Sequence, residues 1–305
     1  MRCWQTAATC KKKKPRHCGR KLIDSPFPTS HPRPFSAELV SAGTRMACCI
    51  EYDGSDYHGW QAQQRKVATV QQELERALAA VAGEPLRVHC AGRTDTGVHA
   101  VGQIVHFDAP VVRSCKSWVL GTNANLPVDI RVQWAVPVNS EFDARFSARS
   151  RRYRYVIANT PVRPALQSRQ ITWQRRPLDA QAMHSAAQNL LGERDFSAFR
   201  AASCQSASAM RNVHFLRVSR SGALIIVDIQ ANAFLHHMVR NIVGSLMAVG
   251  AGTRGVEWIS QLLESRDRTA AADTASPHGL YLMEVDYSPD YELPKGSSGP
   301  PIVVV

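Results

Sequence analysis

Residues 90–100 read C-A-G-R-T-D-T-G-V-H-A and separate two segments, 86–90 and 103–108, whose apolar alternation predicts strands. Gly92 and Gly97 free the backbone of this short loop, so Arg93 and Asp95 can be held at fixed places near a sheet. Opposite charges two residues apart are candidates for an ion pair. A nearby guanidinium favours the ionised carboxylate that a nucleophile, or a stabiliser of a developing cation, has to be. Taken alone, the segment reads more simply as an Asx turn, with Asp95 capping backbone amides at a tight bend. Asp95-Thr96-Gly97 is also the D-T-G of aspartic proteases, which need two such carboxylates sharing one proton. The chain holds no second copy, its nearest imitation being D-G-S at 53–55, so an aspartic hydrolase is a weak alternative that requires a dimer.

Outward from this loop the pattern is mixed. Upstream, 47–52 predicts a strand and 52–60 a Gly- and Asp-rich loop, and the capping box Thr69-x-x-Gln72 opens a helix that stops at Gly83. Downstream come a strand at 152–158, an Asp179-capped helix reaching Gly192, and paired strands at 213–219 and 223–230. A helix carrying Met238, Ile242, Leu246 and Val249 on one face follows, then a short helix at 256–263 and a closing strand at 280–285. Elements alternate in both halves without long parallel crossovers. The fold class expected is therefore α+β, with two similar lobes of antiparallel sheet flanked by helices, at 46–145 and 146–290, and a tail at 291–305.

The 305 residues are 44% hydrophobic, and no apolar run approaches the roughly 18 residues of a membrane span, which excludes an integral helical membrane protein. The formal charge of +12 is uneven. Residues 1–45 hold ten Lys and Arg against Asp24 and Glu38, with K-K-K-K at 11–14 and five prolines between Pro15 and Pro34. That composition predicts a disordered basic extension, either a targeting segment or the product of a start codon placed too far upstream. Between Asp143 and Asp179 lie 35 residues with nine Arg and no acid, which points to a polyanionic partner. Eight cysteines without a C-x-x-C pair suggest free thiols in a reducing compartment, hence a cytoplasmic protein. His236 and His237 would point about 100° apart on a helix start, with no carboxylate at i+3 or i+4, so no metal site is expected there. His99 reads as a packing residue. Trp60 is the one tryptophan within a motif that could face RNA.

Seven motifs in order carry a resemblance: E-Y-D-G-S-x-Y-x-G-W-Q at 51–61, G-R-T-D-T-G-V-H at 92–99, N-A-N-L-P at 123–127, F-x-A-R-F-S-A at 142–148, R-R-Y-R-Y at 151–155, D-F-S-A-F at 195–199 and H-H-M-V-R-N-I-V-G-S-L at 236–246. From about Met46 onward the chain resembles the TruA family of tRNA pseudouridine synthases, bacterial type. The resemblance implies isomerisation of uridine to pseudouridine in the tRNA anticodon stem-loop, at positions 38–40, without a cofactor or metal, by a homodimer that one tRNA spans. It also implies that the polyanionic partner is RNA, bound in an RNA-binding cleft between the lobes. It makes Asp95 the essential carboxylate and Arg93 the residue that pairs with it and fills the space of the flipped base. It makes Tyr153 the ring that stacks on the uracil and a candidate for the final proton removal. Arg240 becomes a cleft residue and Leu280 an apolar lining of the pocket. Thr96 departs from the family, many members having Ala there. A base inside a stem has to be unstacked before its glycosidic carbon can be reached, which suits Tyr153 and Arg93. Arg145, Arg151 and Arg154 would then contact phosphates, although strand alternation lets only about half of the R-R-Y-R-Y cations share the face of Tyr153. A non-catalytic RNA-binding module is the alternative, and a carboxylate that repels phosphate argues against it.

Overall fold

The computed structural model describes residues 36–65 and 67–294, which lie within one compact unit. Its strands and helices, in chain order, are β1 (Leu39–Val40), β2 (Arg45–Tyr52), α1 (Val70–Ala82), β3 (His89–Cys90), β4 (His99–Asp108), β5 (Arg113–Ser114), α2 (Cys115–Asn125), β6 (Ile130–Pro137), β7 (Ser150–Asn159), β8 (Thr172–Gln174), α3 (Ala180–Ala187), β9 (Gly192–Asp195), β10 (Met210–Ser221), β11 (Leu224–Ala231), α4 (Met238–Gly250), α5 (Trp258–Ser265) and β12 (Leu280–Asp286). Ten strands form one sheet in the order β6-β2-β4-β12-β7-β11-β10-β9, with β3 added to β4 and β8 to β7.

The α+β expectation holds, but the two halves do not own separate antiparallel sheets. Tyr281 and Leu282 of β12 pair in parallel with His99 and Ala100 of β4, and on its other side Leu282 pairs with Tyr153 of β7. The last strand thereby covers an edge that each half would otherwise leave open. It also decides where the 91–98 loop sits, since that loop runs into β4 two strand spacings, about 10 Å, from β7.

Local signals explain most elements. Thr69 caps α1 by accepting from the Gln72 amide, and Gly83 ends it in the left-handed conformation at φ +81°. Val70, Leu74, Ala77 and Leu78 are the buried face that packs on α2. α2 itself, C-K-S-W-V-L-G-T-N-A-N, has no apolar stripe to announce it. The Ser114 cap and the fully buried Trp118 hold it. β4 begins at His99, ahead of the predicted 103, and is buried from His99 to Phe107, so alternation cannot mark its start. The helix expected to reach Gly192 ends at Ala187, because 188–190 tighten into a 3₁₀ turn.

Residues 36–45, assigned above to a disordered extension, are part of the fold. β1 pairs with β5, and Arg45 opens β2 with its guanidinium 2.8 Å from Asp108. The rest of that extension, 1–35, and the end of the tail, 295–305, lie outside the described residues. Among the described residues no helix is long and apolar enough to cross a membrane.

Candidate active site

The 91–98 loop is held from three sides. The Trp60 amide donates to the Thr94 carbonyl at 3.0 Å, and the Tyr52 hydroxyl lies 2.7 Å from Thr94 Oγ1. The buried Gln103 side chain brackets Gly92, accepting from its amide and donating to its carbonyl. Backbone packs on backbone here, since a Cβ at Gly54 would lie 1.9 Å from the Val98 carbonyl oxygen. Of the loop's own glycines only Gly97 is left-handed, at φ +76°; Gly92 faces the Tyr153 hydroxyl. The bend is closed by the Val98 amide on the Asp95 carbonyl at 3.1 Å. The Asx turn is therefore not formed, and the Asp95 carboxylate caps no backbone amide among the described residues.

His99, at the loop's exit, is more than packing. Its Nδ1 lies 3.0 Å from Asp53 Oδ1 and its Nε2 3.1 Å from the His278 carbonyl, while its ring stacks on Tyr281 with centroids 4.8 Å apart. Burial pushes the Asp53 carboxyl up, but hydrogen bonds from His99, Ser55 and Gln170 outweigh it and hold the group well below the usual carboxylate range.

Asp95 turns towards the start of α4. Its Oδ2 accepts from Arg240 Nη1 at 3.1 Å and lies 3.2 Å from His237 Nε2, whereas Oδ1 is 3.3 Å from His236 Nε2. Arg240 is itself anchored by Nε on the Ala275 carbonyl at 2.8 Å. The expected Arg93–Asp95 ion pair is absent among the described residues, and Arg93 is exposed. The reading of the histidine pair also changes. His237 stands before α4 in the left-handed conformation, φ 61°, which lays its ring beside that of His236 with centroids 4.0 Å apart; the carboxylate arrives from a distant loop. Ser203 Oγ holds His236 Nδ1 at 3.0 Å. Burial pushes His237 down, against Asp95 and with the help of His236 and Arg240. Ligating atoms of Asp95, His236 and His237 all lie within 4.8 Å of one another, a spacing a metal ion could use. Asp95 already accepts from Arg240, however, and the Arg240 charge on the same carboxylate opposes a bound cation.

Tyr153 joins this cluster from β7. It is buried, meets Phe234 edge-on at 5.0 Å, and burial pushes its phenol up, Arg151 opposing and Asp95 adding. Leu280 begins β12 opposite Tyr155 in the same core. The structure thus gathers Asp95, Arg240 and Tyr153, with Arg93 and Arg145 exposed. Arg151 and Arg154 do not offer the free guanidinium groups expected of them. Arg151 donates to the carbonyls of Ala91, Arg145, Ala148 and Asn232. Arg154 shares the buried Asp228 with Arg152, on the face of β7 away from Tyr153. Trp60, 1% exposed, belongs to the core and cannot face RNA. The sequence did not single out Gln103 or Asp53 as supports of the loop, nor place His236 and His237 beside Asp95. The adjacent histidines were the one signal, and their partner is visible only in three dimensions.

Residues 48–147 and 186–288 match the family described as tRNA pseudouridine synthase. The chain is 57% identical to a tRNA pseudouridine synthase A of Shewanella amazonensis, over 84% of this chain and 98% of that one. It is 58% identical to the protein of the same name from Idiomarina loihiensis, over 84% and 98%. With that of Pseudomonas aeruginosa it shares 54% identity, over 88% and 94%.

Proposed function

The chain belongs to the tRNA pseudouridine synthase family, and from that membership we propose how its residues convert uridines 38–40 of a tRNA anticodon stem-loop to pseudouridine. The observation that carries the reading is the asymmetry of Asp95. Arg240 donates to Oδ2, with His237 3.2 Å from the same oxygen, while Oδ1 has only the half-exposed His236 beside it at 3.3 Å. Oδ1 is then the oxygen presented to C1′ of the flipped nucleotide, either as a nucleophile or as the negative charge that offsets a developing ribosyl cation. The N1–C1′ bond breaks, the uracil turns, and C5 joins C1′; C5 loses one proton and N1 gains one. Protons and electrons balance within the base, so the isomerisation consumes no co-reactant.

Tyr153 supplies the stacking surface beneath the base. Because burial disfavours its phenolate, it acts first as a neutral hydroxyl, and accepting the C5 proton requires a second group to take its own. Arg93, exposed and free of an acidic partner among the described residues, fits the role of occupying the gap left by the extruded base. Leu280 is an apolar wall of the pocket. The RNA lies along the joint where β4, β12 and β7 meet, between the two halves, with Arg145 on its phosphates. Two copies share one tRNA in the cytoplasm, an arrangement the family resemblance supports. The test is incubation of purified protein with unmodified tRNA in buffer alone, followed by chemical mapping. Pseudouridine at 38–40 is expected; none there, or formation only elsewhere, overturns the reading.

A further inference from the structure

Phe146 is 80% exposed, whereas the other exposed aromatics among the described residues, Trp173 and Phe215, are each less than half as open. Lone exposed apolar residues are common, but this one is presented by a rigid turn. Asp143 Oδ1 accepts the amides of Arg145 and Phe146 at 2.8 and 2.9 Å, and Ser147 Oγ accepts the Asp143 amide at 3.0 Å. One Arg151 nitrogen then ties the Arg145 carbonyl, at 2.6 Å, to the Ala91 carbonyl, at 3.0 Å. A single guanidinium therefore bridges this turn to the first residue of the catalytic loop. The surroundings are cationic. The Arg145 guanidinium lies 5.2 Å from the Phe146 ring centroid, and Arg93 and Arg149 are exposed. Burial pushes the Cys90 thiol up to about 12, and the charges of Arg93 and Arg145 oppose it.

A preorganised aromatic ring among arginines suits a nucleobase, which offers a π-face for the ring and a phosphate for the cations. We propose that Phe146 is a stacking platform for an unpaired base of the tRNA next to the flipped uridine, with Arg145 holding that nucleotide's phosphate. The proposal rests on the tRNA reading above and adds a residue to it. Stacking on the rigid turn orders a loop nucleotide at little entropic cost to the protein and steadies the stem-loop while the target base is out.

The experiment compares wild type, Phe146→Ala, Phe146→Tyr and Arg145→Ala for binding of an anticodon stem-loop RNA across a salt series. Pseudouridine formation on the same RNA is followed in parallel. Phe146→Ala is expected to weaken binding about 5- to 150-fold, the range for loss of one stacked base, with the slope of log affinity against log salt unchanged. Phe146→Tyr should bind as wild type, and Arg145→Ala should shallow the slope by up to about one. Binding by Phe146→Ala within twofold of wild type overturns the proposal. So does a change in its sedimentation mass, which would assign the ring to a contact between copies of the chain. Absence of pseudouridine with the wild-type protein defeats the function reading instead, so the two failures are distinct.

Discussion

The role proposed for Asp95 asks that a reacting carboxylate be held without being consumed, and its two oxygens do have unequal partners. Arg240 does most of the holding, because its guanidinium is fixed at Ala275 and reaches Oδ2 from a partly buried position. Arg240→Gln should therefore lower kcat about 100-fold, the cost of a misplaced reacting group, and leave KM within a few-fold, as steady-state kinetics on a stem-loop RNA would read. A rise in KM with kcat unchanged would make Arg240 a binding residue. Asp95, Tyr153 and Arg240 were legible in the sequence because each sits inside a motif. That Arg240 and the two histidines surround Asp95 was not, since the Arg two residues away is exposed while these groups come from the start of α4 in the other half.

Between the residues and the sheet stands the junction of three segments at His99: the 53–54 loop, the start of β4 and the turn at 277–279. Asp53 is depressed in the folded protein, so it contributes stability above its unfolded pKa of about 3.9 and loses it as pH falls below that value. Asp53→Asn should be less stable than wild type at pH 6, by about 1–3 kcal/mol for the lost charge-assisted bonds. The gap should close towards pH 2, which denaturant melts across pH 2–6 would show. Other depressed carboxylates, among them Asp108 and Asp228, titrate in the same window, so the difference between the two proteins carries the information. A gap independent of pH would reduce Asp53 to packing. The helices with a cap and a stripe, α1 and α4, could be read ahead of the structure. α2, lacking a stripe, could not, and neither could the start of β4, buried on both faces.

Over the whole molecule, the acid-poor arginine stretch divides into two populations that composition could not separate. Arg145 and Arg149 are exposed, whereas Arg152 and Arg154 are committed to Asp228. Arg154→Ala should leave the salt slope of tRNA binding unchanged and reduce stability by about 3 kcal/mol, since Asp228 loses half of its compensation. A shallower slope with stability intact would return Arg154 to the RNA surface. The repeated order of elements suggested two lobes, whereas the two halves share one sheet because β12 pairs with both β4 and β7, a register that no local pattern encodes. That fusion sets loop 91–98 from one half against α4 and β7 of the other, and the central claim is that Asp95 does the chemistry there. The most direct test is Asp95→Asn, measured for RNA binding and for single-turnover pseudouridine formation with enzyme in excess. The variant should bind within a few-fold of wild type, or more tightly through relieved repulsion of phosphate, while its rate falls by about 10⁴ or more. Pseudouridine formed by Asp95→Asn at the wild-type rate would contradict the account.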